Sequence, residues 1–165
     1  SSDNILIKTA PFLDISAGTK ELQNVRELHI VAVKGEVKEL LWVLTKGYSG
    51  EIHVKTVNLE NTHPQLFDFF LKEEIEANSS FDLPLGFLYE PNAAILKSGA
   101  FKTIGSRFSL AKIHKHTHLY TSKELVDFPG RRFAIKECLP FNKKTRANLK
   151  GLKANIAIRN FYFII

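Results

Sequence analysis

Leu28-His29-Ile30-Val31-Ala32-Val33, then Lys34-Gly35, then Glu36-Val37-Lys38-Glu39-Leu40-Leu41-Trp42-Val43-Leu44 is the stretch that decides the fold of the first half of this chain. Its first six residues form an apolar run with the length and composition of a buried strand. In the second run Val37, Leu40, Leu41 and Leu44 fall at i, i+3, i+4 and i+7, the spacing of one helix face. Ile52-His53-Val54-Lys55-Thr56-Val57 then alternates as a half-buried strand. Strands separated by a helical crossover pair in parallel. Upstream, Ile5-Leu6-Ile7, closed by Ala10-Pro11, reads as a buried strand, and Asp14 or Ser16 can cap a helix to about residue 22 that Gly18 weakens. The expectation for this half is a βαβαβ unit.

Beyond it, residues 61–64 read as a turn. Residues 66–70 fit a strand pairing back as a hairpin better than a helix begun at Pro64, and a short acidic helix follows over 72–77. Ser79-Ser80, Pro84 and Gly86 mark a boundary, which divides the chain into 1–84 and 85–165. In the second part Phe87-Leu88-Tyr89 is a strand. Asn92 caps a helix carrying Ile95, Phe101, Ile104 and Phe108 near one face, with Gly99 and Gly105 allowing close packing. A long strand is expected over 112–120, with His114, His116, His118 and Tyr120 on one face. Phe128-Pro129-Gly130 turns the chain into a strand over 132–139, Asn142 caps a basic helix over 143–152, and a strand over 155–161 closes the unit. That order, β-α-β-β-α-β, is ferredoxin-like. The fold class expected is therefore α/β to α+β.

Charge divides the chain at nearly the same place. Residues 91–165 carry fifteen Lys or Arg against Glu124, Asp127 and Glu137, a net of +12, whereas residues 1–90 carry eight basic and fourteen acidic residues, a net of −6. A half this basic is an electrostatic footprint for a polyanion. An apolar fraction of 44% with thirteen Phe excludes disorder, no apolar run is long enough to span a bilayer, and no signal pattern opens the chain. One cysteine, Cys138, excludes an internal disulfide and fits a reducing cytoplasm. The chain lacks Met at position 1 and opens on Ser1-Ser2-Asp3 directly before a strand, so a fragment of a longer chain is expected.

Three constellations can be weighed for chemistry. Histidines alternating along one strand would sit ~6–7 Å apart, which suits a zinc ion poorly and a solvated or interdomain sheet face better. On such a face His116, His118 and Tyr120 can stack on bases. Cys138 has no identifiable activating partner and reads as a buried structural thiol. Lys143, Lys144, Arg146, Lys150 and Lys153 crowd one helix with no acidic residue among them, and Arg107, Arg131 and Arg132 lie on neighbouring elements. In a split βαβ these groups can share one positive surface that contacts phosphates without reading bases. Against it stands a solvated helix face. There is no G-x-G-x-x-G after a strand and no Walker A motif, Glu73-Glu74 reads as solvated helix surface, and no self-sufficient catalytic site or metal site assembles.

Several stretches are more specific than these arguments require. Tyr89-Glu90-Pro91-Asn92-Ala93-Ala94-Ile95-Leu96-Lys97-Ser98-Gly99-Ala100-Phe101 leads them. Thr117-His118-Leu119-Tyr120-Thr121-Ser122, Phe128-Pro129-Gly130-Arg131 and Ala154-Asn155-Ile156-Ala157-Ile158-Arg159-Asn160-Phe161 follow. Together they resemble the C-terminal region of bacterial class I SAM-dependent methyltransferases that carry a ferredoxin-like insert and a THUMP-like domain. Residues 8–15 and 33–44 resemble the closing strands and helices of that family's methyltransferase domain. The resemblance implies that residues 1–84 are the tail of a Rossmann-like methyltransferase sheet and that 85–165 are a ferredoxin-like, THUMP-like domain. It implies RNA as a partner, SAM as the cofactor of the full-length protein, and an upstream methyltransferase domain as a neighbour. This chain carries neither the family's SAM-binding glycine loop nor its Asp/Asn-Pro-Pro-type motif, so no cofactor is expected on it.

The reading that joins these lines is a non-catalytic segment of an RNA methyltransferase, cytoplasmic, binding RNA with low sequence specificity through Lys143, Lys144, Arg146, Lys150, Arg131, Arg132, Arg107, His116, His118 and Arg159. The rival is a structural module whose basic face docks the acidic first half. A free-standing metalloenzyme built on the histidine strand is a third, weaker reading.

Overall fold

The computed structural model describes residues 2–140 and 142. Among the described residues two sheets and four short helices make a mixed α and β fold, in the class the sequence predicts. The first sheet has the order β1-β3-β2-β4-β5, from β1 (Asn4–Thr9), β2 (Val25–Val33), β3 (Glu36–Thr45), β4 (His53–Leu59) and β5 (Gln65–Phe70). Only β2 and β4 pair in parallel within it. Helix α1 (Ile15–Glu21) is capped by Asp14, whose carboxylate accepts from Ala17 N at 2.8 Å. Helix α2 (Leu71–Glu76) follows β5 directly.

The expected helix over 36–44 is instead the strand β3. Val33 pairs with Glu36, which leaves a two-residue hairpin turn at Lys34 and Gly35, with φ of 50° and 78°. A turn with both central residues left-handed matches the twist of antiparallel strands, so the chain folds straight back on β2. Leu40 and Trp42 then join Leu28 and Ile30 on the buried face, all fully buried. β2 and β4 are left parallel, as predicted, but the crossover between them is a strand. A second correction concerns β1. It is an edge strand, with Ile5 and Leu6 54% and 65% exposed, and the strand predicted to be buried has a partner on one side only.

The second sheet is smaller and entirely antiparallel in the order β7-β8-β6-β9, built from β6 (Phe87–Pro91), β7 (Ala111–Lys112), β8 (Tyr120–Ser122) and β9 (Gly130–Ala134). Between β6 and β7 run α3 (Ala93–Ser98) and α4 (Thr103–Arg107). One continuous helix was expected here. Gly99 splits it by taking φ of +78° at the end of α3, a left-handed cap that glycine adopts at little cost. Gly105 packs as predicted, its Cα facing the Tyr120 ring.

Helix α3 crosses β2, β3 and β4 and buries Ala94 and Ile95 completely against the first sheet. The two sheets therefore share one hydrophobic core, which runs from Trp42, Leu40 and Phe69 through Ile95 and Ile104 to Tyr89, Tyr120 and Phe128. Each fully buried aliphatic side chain there contributes ~2 kcal/mol. Among the described residues no helix is long and apolar enough to cross a membrane.

Candidate nucleic-acid interface

The stretch from Tyr89 to Phe101 is dense in structural duties. The Tyr89 hydroxyl hydrogen-bonds Ser122 Oγ at 2.9 Å, donates to Glu124 O and accepts from Val126 N, which pins residues 122–126 over β6. Asn92 caps α3 through Ile95 N at 3.1 Å, as its position predicts. Its Nδ2 donates to Gln65 Oε1, which also accepts from Asn58 Nδ2, and Asn58 Oδ1 accepts from Gly35 N. Buried amides that satisfy one another in this way bind the β2–β3 turn, β4, β5 and α3 into one unit.

The basic groups on α3 and α4 are turned toward the first half. Lys97 Nζ donates to Leu13 O, and Lys102 Nζ donates to Ile75 O, both at 2.8 Å. Arg107 donates through Nη1 to Asp68 O and through Nη2 to Glu73 Oε2, each at 2.6 Å, and its guanidinium lies 5.4 Å from the centre of the Phe67 ring. Two carboxylates read from sequence as solvated helix surface face this seam. Glu73 accepts from Phe70 N and Arg107, and these hold its carboxyl below the usual range. Glu74 accepts from the backbone N–H groups of Lys102 and Thr103, capping α4 from a different helix. No sequence signal announced that cap, because its partners are backbone amides 28 and 29 residues away.

Arg131 and Arg132 are placed differently. They are consecutive in β9, so their side chains leave opposite faces of the sheet. Arg131 pairs with Glu90 on β6 and lies 5.7 Å from the Phe133 ring centre. Arg132 pairs with Asp127 at 2.8 Å, and the Asp127 side chain is 99% exposed.

The histidines do not share a strand face. The predicted strand over 112–120 is interrupted, since Thr117 N donates to His114 O and closes a turn between β7 and β8. His114 and His116 are neighbours within that turn, with ring centroids 5.4 Å apart, while His118 stacks on Phe101 at 3.7 Å. Among the described residues no three metal-ligating side chains are grouped to hold an ion. Below the turn, Lys112 is buried and donates to Lys115 O, and burial lowers its pKa. Tyr120 beneath it donates to Phe101 O at 2.7 Å, and burial raises its phenol above the ordinary value. Cys138 is exposed, a correction to the expected buried thiol, because β9 ends at Ala134 and the residue lies beyond the sheet. Lys143, Lys144, Arg146, Lys150 and Arg159, with the expected helix over 143–152 and strand over 155–161, lie outside the described residues.

Comparison with known proteins bears on both halves. Residues 87–129 match the family of a ferredoxin-like domain. The crystal structure of a candidate methyltransferase from Porphyromonas gingivalis W83 superposes with a TM-score of 0.78 at 37% sequence identity, over 90% of this chain. The chain spans 38% of the length of that protein. No curated protein matches it. The ferredoxin-like match ends at Pro129, the middle of the turn into β9, so it contains the seam helices and the histidine turn.

Proposed function

We propose that this chain is a non-catalytic part of a SAM-dependent RNA methyltransferase in the cytoplasm, and that it contributes RNA binding of low sequence specificity. In this reading residues 1–84 belong to the methyltransferase-like α/β domain, residues 85–165 form a ferredoxin-like, THUMP-like domain, and the upstream methyltransferase domain is the neighbour. The similarity to a 38% stretch of a candidate methyltransferase supports the first part. The observation that carries RNA binding is charge left over after docking. Setting aside Lys97, Lys102 and Arg107, which are turned to the first half, and the buried Lys112, residues 113–165 still hold eleven Lys or Arg against three acidic residues, a net of +8.

SAM is assigned to the rest of such a protein. The turn after β2 offers no glycine-loop cradle for it: Lys34 and Gly35 close a tight hairpin and the Gly35 N–H is donated to Asn58 Oδ1.

The test is titration of structured RNA into the full chain at two salt concentrations. Neutralising six to ten phosphates predicts an affinity loss of ~10³–10⁵ between about 50 and 200 mM salt. Absence of binding at the lower salt, or binding indifferent to salt, overturns the reading. The Arg107–Glu73 pair and the Glu74 cap favour a second reading, a structural module whose basic face docks the acidic half. That reading accounts for α3 and α4 but not for the excess of basic residues after β9. Reversing Lys143 and Lys144 to Glu separates the two: loss of RNA affinity with an unchanged melting temperature supports the RNA reading, and a fall in melting temperature with RNA binding intact supports docking.

A further inference from the structure

At the seam between the two sheets, the turn joining β4 to β5 and the turn entering β9 enclose an open cleft of about 490 Å³. That volume lies within the range of small-ligand sites. His63, Leu66, Phe108, Asp127, Pro129 and Arg132 line it. Its floor is aromatic: Phe108 meets Phe128 edge-on at 5.3 Å and remains half-buried. Its wall is preorganised, since Gln65 also lines it and the Asn58 and Asn92 amides fix the Gln65 carboxamide in one orientation.

The cleft carries a cation, Arg132, that packing does not require. Phe128 is a core residue, and Gly130 is dictated by the Glu90 carbonyl that a Cβ there would strike. Arg132 has no such duty. Its partner Asp127 is almost fully in water, so the pair contributes little to stability and exchanges readily. A guanidinium held this loosely is free to take a phosphate through two parallel hydrogen bonds, a stronger arrangement than an exposed single contact. An aromatic face beside such a group is how unpaired RNA bases are commonly received.

We propose that this cleft receives one nucleotide of single-stranded RNA, its phosphate on Arg132 and its base against Phe108. The proposal rests on the RNA reading and gives it a location. Asp127 then acts as an internal competitor that occupies Arg132 until a phosphate displaces it. The consequence is a pair of opposite effects from two exposed residues. Arg132→Gln removes the phosphate contact and weakens binding, whereas Asp127→Asn frees the guanidinium and strengthens it.

The experiment is an amide-resolved NMR titration of the full chain with adenosine 5′-monophosphate, with adenosine and inorganic phosphate as separate arms. Expected are saturable shifts confined to residues 62–66, 108 and 127–132 for the nucleotide, with each half alone binding more weakly. Arg132→Gln should weaken the nucleotide at least about tenfold and Asp127→Asn should tighten it a few-fold, since charge-assisted contacts are the strong ones. Shifts elsewhere, an equal response to phosphate alone, or no effect of either substitution overturns the proposal. RNA titrations on the same three proteins keep its failure apart from that of the RNA reading. Salt-sensitive RNA binding that ignores Arg132→Gln, with no nucleotide shifts in the cleft, sinks the cleft and leaves the RNA reading standing. Nucleotide shifts in the cleft with no RNA binding at low salt overturn the RNA reading and, with it, single-stranded RNA as the occupant.

Discussion

The two sheets of this molecule are held by different physics. Strands of the first run for six to ten residues, and alternate side chains of the central β2 and β4 enter the core one after another. Strands of the second run for two to five residues. So few ladder bonds do not hold a sheet by themselves. What closes it is a set of side-chain contacts to backbone: Tyr89 to residues 122–126, Tyr120 to Phe101 O, Thr121 to Phe87 O and Leu85 N. The first region spreads its stability over many buried side chains, and the second concentrates it in a few contacts.

The comparison breaks most sharply at Gly130. An added Cβ would strike the Glu90 carbonyl and approach Pro91 Cα at 2.9 Å, and both are backbone atoms of the paired strand that cannot swing aside. Gly130→Ala should cost ~3 kcal/mol, the upper end of overpacking effects. Urea unfolding should show a lower midpoint with an unchanged slope, and a loss below 1 kcal/mol would show that β9 yields. Gly18 is the matched case in the first region. Its Cβ would meet the Trp42 ring at 2.6 Å, so substitution there displaces a fully buried side chain rather than paired backbone.

Next is the cap that joins the regions. Glu74→Ala strips the carboxylate from the Lys102 and Thr103 amides and leaves two donors without their acceptor. The expected loss is ~2 kcal/mol, the scale of a lost charge-assisted cap. Amide exchange checks where it falls: α4 should open faster while β2 and β4 keep their protection. Uniform acceleration across both sheets would mean that the regions do not differ in the way described.

How far the sequence foretold each region follows from the same contrast. β2 is legible as an apolar run of strand length, and β4 from its alternation between a covered and an open side. β3 is not, because Val37, Leu40, Leu41 and Leu44 satisfy helix spacing while Leu40, Trp42 and Leu44 equally satisfy a strand. The signal that decides between them is Lys34-Gly35, a two-residue hairpin turn whose lysine takes a left-handed conformation that sequence gives little reason to expect. In the second region Asn92, Gly105 and the 128–130 turn are legible from local chemistry. The histidine turn is not, since His114, His116 and His118 alternate as a strand would. The candidate interface was read as a charge total. That Arg107 is turned inward while Arg132 lies at a cleft depends on tertiary neighbours, Glu73 and Asp127, that composition does not arrange.

A smaller effect sharpens the first region. On the open face of its sheet Glu27 accepts from Lys55 at 3.0 Å and lies 2.8 Å from His29 Nε2. The Lys55 hydrogen bond, then that of His29, lowers its pKa from 4.5 to about 2. The folded value lies below the unfolded one, so its contribution is fully present above about pH 4.5 and is lost as pH falls toward about 2. Because its partners are about a third exposed, the contribution is ~1–2 kcal/mol rather than the full shift. Glu27→Gln should lower stability at pH 7 by that amount and flatten the acid limb of a pH titration of the melting temperature. An unchanged acid limb would assign that limb to other carboxylates.

The smallest expected difference separates two arginines that the sequence placed together. Arg107 spans the seam: one nitrogen meets the Asp68 carbonyl, another the Glu73 carboxylate, and the guanidinium lies over Phe67. Arg132 pairs with Asp127, a carboxylate that stands in water. Arg107→Gln keeps most of the side chain's length while removing the charge and the fork, so it isolates the electrostatic and directional part of the contact from packing. It should lower stability by ~1 kcal/mol, a fall of a few degrees in melting temperature for a chain of this size. Arg132→Gln should stay within ~0.5 kcal/mol of the parent, as exposed pairs do. Raising the salt should shrink the gap, because the Glu73 pair is itself about 40% exposed and screened, while the bond to the Asp68 carbonyl survives. Equal melting temperatures for the two variants at low salt would mean that Arg107 is as loosely held as Arg132. The seam would then rest on Glu74, Asn92, the Lys97 and Lys102 contacts and the packing of α3.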